Sequence, residues 1–269
     1  MCRLYGFRAS EPTKVECALV HAQNALMAQS RRDRSGESHL HGWGVATYEN
    51  GLPRIERQAW AAYHGEHFRR AAARAYARAV LAHVRAATVG PPALENTHPF
   101  SDGAWTFVHN GTIPGFALIR EAMLAAMTDY HRGAIRGDTD SEHLFHFILS
   151  LHERDKAKPL EEAVRTAIRQ IIAWSRAAAP SERAGLNVIL SDGERMVGTR
   201  WGRTLYYLER QGLQSCDICG VPHVAHQPAR SYRSVEVASE PITDEPWLAV
   251  MEPALYTVTP AVSLSVEPL

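Results

Sequence analysis

The order of strand-like and helix-like stretches is what most limits the fold this chain can take. Strand patterns are read at 3–7, 42–48, 53–60, 79–85 and 105–109, and helical periodicity at 13–29, 65–78, 115–130, 140–153 and 159–178. The last third reads mostly as strand, at 186–191, 195–199, 205–209, 232–238 and 255–259. Between the second and third strands, Asn50-Gly51 is a hairpin turn signal. This mixture lacks the regular βαβ alternation of a doubly wound sheet, so the class expected is α+β, with layers. At 269 residues and 45% hydrophobic, the chain has ample core for one large domain or two small ones. No repeat, low-complexity tract or linker divides it, and a single domain over 1–269 is expected.

Charge and hydropathy remove several function classes. Twenty-nine basic residues balance 29 acidic ones, which disfavours nucleic-acid or anionic-membrane binding through bulk charge. No apolar run is long enough to span a bilayer. The opening MCRLYGFRAS has no signal-peptide apolar region, and residue 2 is not the glycine that myristoylation needs. A cytoplasmic protein is expected. Its four cysteines, Cys2, Cys17, Cys216 and Cys219, are too few for a disulfide scaffold of this length and should be reduced.

The first four residues, Met1-Cys2-Arg3-Leu4, carry the sharpest chemical signal. Removal of the initiator methionine leaves a cysteine with a free α-amine, so one residue holds a nucleophile and its own base. A thiol titrates near ~8.5 and an α-amine near ~7.7–8.0, so the amine keeps enough free base at neutral pH to accept the thiol proton. Nucleophiles paired with an N-terminal amine need no histidine.

Such a nucleophile needs an oxyanion hole and a grip on its substrate. Asn110-Gly111 closes the strand at 105–109; it reads either as a turn or as an oxyanion hole built from the Asn110 amide and the Gly111 N–H. Arg85 closes the strand at 79–85 and either reaches solvent or grips a carboxylate with its fork; Thr88 could add a hydroxyl. Thr139 and Glu142 have capping-box spacing, which puts Asp140 in a first helical turn. Asp140 then serves the helix or pairs with a substrate ammonium. An arginine for a carboxylate and an aspartate for an ammonium describe a site for the amino-acid end of a ligand. His98 precedes Pro99 and is expected to order its loop rather than move protons; His41, His83 and His109 are read the same way.

Two further features are read as inert. Residues 29–41 are polar and punctuated by Gly36, so a mobile surface loop is expected, its Arg31, Arg32 and Arg34 solvated. Cys216-x2-Cys219 with His223 and His226 has metal-ligand residue types, but His-x2-His is shorter than usual zinc spacing. No metal is expected there, the cysteine pair should be dispensable for catalysis, and Cys17 should be a packed small hydrophobe.

Taken in order, these motifs resemble the class II glutamine amidotransferases, among the N-terminal nucleophile hydrolases. The matching elements are Cys2; Gly42-Trp43-Gly44; His83-Val84-Arg85-Ala86-Ala87-Thr88; Asn96-Thr97-His98-Pro99-Phe100; His109-Asn110-Gly111; and Thr139-Asp140-Ser141-Glu142. Ser191-Asp192-Gly193 and Ala238-Ser239-Glu240-Pro241-Ile242 look like the small stand-alone members, so the likeness spans nearly the whole chain. The resemblance implies a four-layer αββα sandwich of two antiparallel sheets between helical layers. It implies Cys2 as nucleophile, Asn110 and Gly111 as oxyanion hole, and Arg85 and Asp140 as clamps on a glutamine α-carboxylate and α-amine, with Thr88 and His98 in the same substrate pocket. Where larger members often carry a histidine after the threonine, this chain has Val89.

The function expected is hydrolysis of a γ-glutamyl amide through a Cys2 thioester, with no cofactor and a small-molecule substrate. In a second version the chain is a glutaminase subunit that passes ammonia to a separate synthetase. From another class, it is a zinc-binding or interaction protein that keeps the fold without turnover.

Overall fold

In the computed structural model, which describes residues 2–224 and 231–269, strand β1 (Arg3–Lys14) sets the architecture because its alternate residues face two different cores. Tyr5, Phe7 and Ala9 point to one side, Leu4 to the other. The strands that follow are β2 (Trp43–Glu49), β3 (Leu52–Gln58), β4 (Tyr76–Val84), β5 (Phe100–Asp102), β6 (Trp105–Thr112), β7 (Gly185–Ser191), β8 (Met196–Arg200), β9 (Tyr206–Gln211), β10 (Arg233–Ala238), β11 (Leu248–Ala249), β12 (Ala254–Val258) and β13 (Leu264–Pro268). The helices are α1 (Leu26–Arg31), α2 (His67–Arg74), α3 (Phe116–Ala125), α4 (Asp129–Ala134), α5 (Asp140–Arg154) and α6 (Leu160–Ala178), with a π-helical turn at Cys17–His21.

Among the described residues the strands form two antiparallel sheets, of order β11-β9-β10-β1-β4-β2-β3 and β13-β12-β8-β7-β6-β5. Three apolar clusters separate the layers. Leu4, Leu81, Val108, Ile189, Val237 and Tyr256 join the two sheets face to face. Phe7, Trp43 and Ala82 meet Leu19, Leu26 and Phe68 beneath the first helical layer. Phe107, Leu186 and Val188 meet Ile119, Phe145 and Ile168 beneath the second. The result is the expected α+β sandwich, αββα in layers. None of the helices among the described residues is long and apolar enough to cross a membrane.

Several elements depart from the periodicity reading. The helix expected over 13–29 is a strand end, a π-helical turn and the short α1. Asn24 breaks the helix: its N–H bonds to the Ile242 carbonyl, and its side-chain amide to Glu240 and Pro241. The helix expected over 115–130 is divided into α3 and α4. The hairpin at Asn50-Gly51 is present, both residues having left-handed φ of 52° and 78°.

Candidate active site

Sidedness gathers the candidate residues between the sheets. Residue 2 precedes β1 in phase with Leu4, on the inter-sheet face. Asn110 lies on β6 in phase with Val108, and Arg85 follows β4 in phase with Leu81, both on that same face. All three are buried, at 9%, 1% and 2% exposure.

The Cys2 thiol donates to the Ala86 carbonyl at 3.5 Å, one residue past Arg85. Burial pushes this thiol above its ordinary value; the Arg85 charge pulls it back and Asp140 adds to the rise. The Ala86–Thr88 stretch is itself shaped by His41, whose Nδ1 accepts the Ala87 N–H at 2.9 Å.

Asn110-Gly111 is not a turn. β6 runs through it to Thr112, pairing Asn110 with Asn187 and Gly111 with Leu186. Gly111 must be glycine because a Cβ there would fall 1.9 Å from the Gly185 carbonyl oxygen. Asn110 Nδ2 reaches Ser239 Oγ at 3.1 Å, and Ser239 Oγ accepts the Leu4 N–H at 3.0 Å. Ser239 thus ties the start of β1 to Asn110. Asn110 Oδ1 is buried without a hydrogen-bond partner among the described residues.

Arg85 spends part of its fork on its own loop. Nη1 donates to the Pro91 carbonyl, and Nη2 to those of Val89 and Gly90, at 2.8–3.0 Å. Asp140 opens α5, 3% exposed, and accepts the Ile113 N–H through Oδ2 at 2.8 Å. The expected N-cap is there: Thr139 Oγ1 accepts the Glu142 N–H. The Glu142 carboxylate instead takes the Arg136 and Gly137 N–H groups, so the box is half formed. Thr88 is exposed and bonds to Thr112 Oγ1 at 3.0 Å, next to Gly111.

His98 is 2% exposed, stacked on His83 with ring centroids 4.1 Å apart, and both its ring nitrogens lack partners among the described residues. Burial holds it well below the usual histidine range, and His83 at about 3. Its carbonyl presses on Gly44, where a Cβ would meet that oxygen at 2.2 Å. Arg57 donates to the Thr97 and Pro99 carbonyls and fixes the same loop. The Gly42-Trp43-Gly44 and Asn96–Phe100 motifs are therefore two sides of one contact.

Residues 29–41 form a largely exposed stretch, as expected from their polarity, but it is anchored through the buried Asp33 and His39. Arg3 donates from Nη1 to the Cys2 carbonyl at 2.9 Å, and pairs with Asp33 at 2.6 Å and Glu240 at 2.9 Å, all three side chains buried. His39 Nε2 lies 3.1 Å from Asp33. Burial alone would raise Asp33, but Ser35, the Glu37 N–H, Arg3 and His39 hold it at about 2. The residue reading missed Arg3, Asp33 and Ser239 as site residues; the one available signal was Ser239 within the motif shared with small amidotransferases.

The cysteines outside the site also differ from expectation. Cys17 is buried, but its sulfur lies in one cluster with Cys216, Cys219 and His223 rather than simply in apolar packing. His226 lies outside the described residues.

Comparison with known proteins bears on the family and the fold. The family model for "Glutamine amidotransferases class-II" matches residues 1–260. The chain is 28% identical to "Probable glutamine amidotransferase DUG3" of Saccharomyces cerevisiae over 96% of this chain and 82% of that protein. It is 31% identical to a gamma-glutamyl-hercynylcysteine sulfoxide hydrolase of Mycobacterium tuberculosis over 78% of this chain and 81% of that protein. A glutamine aminotransferase class-II domain protein from Silicibacter pomeroyi shares the fold, with a TM-score of 0.64, 23% identity and 99% of each chain covered.

Proposed function

Because the chain belongs to the class II glutamine amidotransferases, we propose that it hydrolyses a γ-glutamyl amide, with Cys2 as nucleophile, as a single domain over 1–269. The observation that carries this reading is the Ser239 bridge, which holds the backbone two residues after Cys2 against the Asn110 amide.

In the proposed mechanism, Met1 is removed and the Cys2 α-amine takes the thiol proton. Sulfur attacks the γ-carbonyl carbon, and the oxyanion forms against Asn110 Nδ2 and the Gly111 N–H. The amine returns the proton to the leaving nitrogen, and a γ-glutamyl thioester remains. Water then attacks that thioester, glutamate leaves, and the thiol and amine are regenerated. Each oxyanion donor is worth about 2.7–4 kcal/mol of transition state.

The hydrogen bonds around Asn110 support its role. Ser239 Oγ already accepts the Leu4 N–H, so its own proton needs an acceptor. Turning the Asn110 amide over lets Ser239 donate to Oδ1 and leaves Nδ2 at the position without a protein partner. Among the described residues, Arg85 Nε and its remaining Nη1 hydrogen are left for a substrate carboxylate, and the Asp140 carboxylate, which already accepts the Ile113 N–H and the Ser141 hydroxyl, keeps lone pairs for a substrate ammonium.

Histidine is a poor candidate for the base. His83 is held at about 3, His98 is pushed well below its usual range by burial, and burial also lowers His109. His109 has both ring nitrogens engaged, by Ser141 and the Gly185 carbonyl.

The mycobacterial relative named as a hydrolase of a γ-glutamyl conjugate favours a conjugate as substrate. The yeast relative's name, a probable glutamine amidotransferase, favours glutamine; in that second version the ammonia passes to a separate synthetase. Glutamate release from glutamine and from a panel of γ-glutamyl conjugates separates the two. A higher kcat/KM for a conjugate supports the first, and a preference for glutamine supports the second. Absence of glutamate from every substrate, with protein whose mass lacks methionine, overturns the hydrolase reading.

A further inference from the structure

The connection between β9 and β10 spans residues 212–232. Paired antiparallel neighbours are usually joined by ~2–5 residues. Among its described residues it has neither strand nor helix, and a connection of this length without its own structure needs something to hold it. It is tied back to the end of β1 by the Lys14 N–H, which donates to the His223 carbonyl at 2.9 Å. At that junction Cys17, Cys216, Cys219 and His223 each offer one ligand atom, all within 4.8 Å of one another.

We propose that these four residues form a structural zinc site, Cys3His, that staples the 212–224 segment to the π-helical turn after β1. The donor set fits zinc: three thiolates and one imidazole in a closed, four-coordinate arrangement. Zn–S bonds of ~2.3 Å and Zn–N bonds of ~2.0–2.1 Å in a tetrahedron place ligand atoms about 3.5–3.8 Å apart. Cys219 Sγ is 3.3 Å from His223 Nε2. Closing the rest of the cluster onto a metal is therefore a small contraction.

The local backbone is arranged for bound sulfur. The Ile218 N–H points at Cys216 Sγ at 3.4 Å, a donor to a thiolate ligand. Gly220 N–H donates to the Cys216 carbonyl at 2.7 Å, and Cys216 N–H to the Val221 carbonyl, closing a tight turn around the Cys-x2-Cys pair. These are contacts that orient ligands from outside the first coordination sphere. Spacing within 216–226 conceals the set because its fourth member, Cys17, comes from the other end of the chain. Soft thiolates with imidazole in a tetrahedron select zinc over the oxygen-seeking cations. None of the four residues contacts Cys2, Arg85, Asn110 or Asp140 in the interactions described above, so the zinc serves stability and not the chemical step.

The test is metal analysis of the full chain, purified without a histidine tag from zinc-supplemented medium. The expected result is about one zinc per chain retained through gel filtration. Cys17→Ser and Cys219→Ser should each drop the zinc to about a tenth or less, with a lower melting temperature, because metal binding and folding are linked. Where a serine variant fails to fold, cobalt(II) titration of the chelator-stripped wild type decides. The intense visible bands of a tetrahedral, thiolate-ligated cobalt support the site, and their absence overturns it. Wild type without zinc, a disulfide among the three cysteines, or zinc retained in both variants overturns it as well.

Discussion

Arg85 has one duty in the structure and a second that is proposed. Its fork holds the carbonyls of Val89, Gly90 and Pro91, and its remaining donors are those proposed for the substrate carboxylate. Arg85→Lys keeps the charge and loses the planar fork, so KM for α-carboxylated substrates should rise at least about tenfold. A substrate lacking that carboxylate should be much less affected. Equal penalties in steady-state kinetics would leave Arg85 only its loop role. The base makes a separate prediction: kcat/KM should rise with pH through a limb near ~7.7–8.0, the α-amine range. A limb near or below ~6.5 would assign the base to a histidine. The candidates Cys2, Arg85, Asn110 and Asp140 could be picked out in the sequence because each lies in a short local motif. Ser239, Glu240 and Cys17 could not, because what they meet lies more than 190 residues away in sequence, at Leu4, Arg3 and Cys216. Local pattern carries no information about such pairings.

Strand β6 is the element on which the site depends most. It presents Asn110 to the inter-sheet face and brings Gly111 against Gly185 of β7. Gly111→Ala would drive a methyl into the Gly185 carbonyl, with backbone on both sides and no flexible side chain to yield. The loss of stability should exceed the ~0.5–3 kcal/mol of an ordinary substitution, and activity should fall even where the protein still folds. Thermal melting and kcat check this, and a variant with unchanged melting and turnover would contradict it. The periodicity of α5, α6 and the Asn50-Gly51 hairpin was legible because each is long or carries its own turn chemistry. The short β5 and β11 and the C-terminal β13 were not, since a few residues give no period to read. The 13–29 segment misled because its apolar spacing is helical, while Asn24 is claimed by the Glu240 carboxylate and the Pro241 and Ile242 carbonyls.

At the scale of the molecule, histidines buried neutral set the acid limit. Burial holds His39 and His146 at about 4 and His83 at about 3, with His98 also far below its usual range. The unfolded chain, with histidines near ~6.5, binds these protons first, so stability is full above ~6.5 and falls as pH drops toward 4–3. Asp33, held at about 2, adds a second loss as pH falls through ~4 to 2. The melting temperature should therefore decline from pH 7 to 5, before most carboxylates titrate; a flat profile over that span would contradict the neutral, buried assignment. The central claim concerns the first bond of the mature chain. Intact-mass and peptide mass spectrometry after treatment with a diazoketone analogue of glutamine tests it directly. The account predicts one adduct, on a Cys2 that has no methionine before it. Cys2→Ala should be unlabelled and inactive, and Cys2→Ser should keep only a trace of turnover. An adduct on another residue, or full turnover by protein that retains Met1, would contradict it.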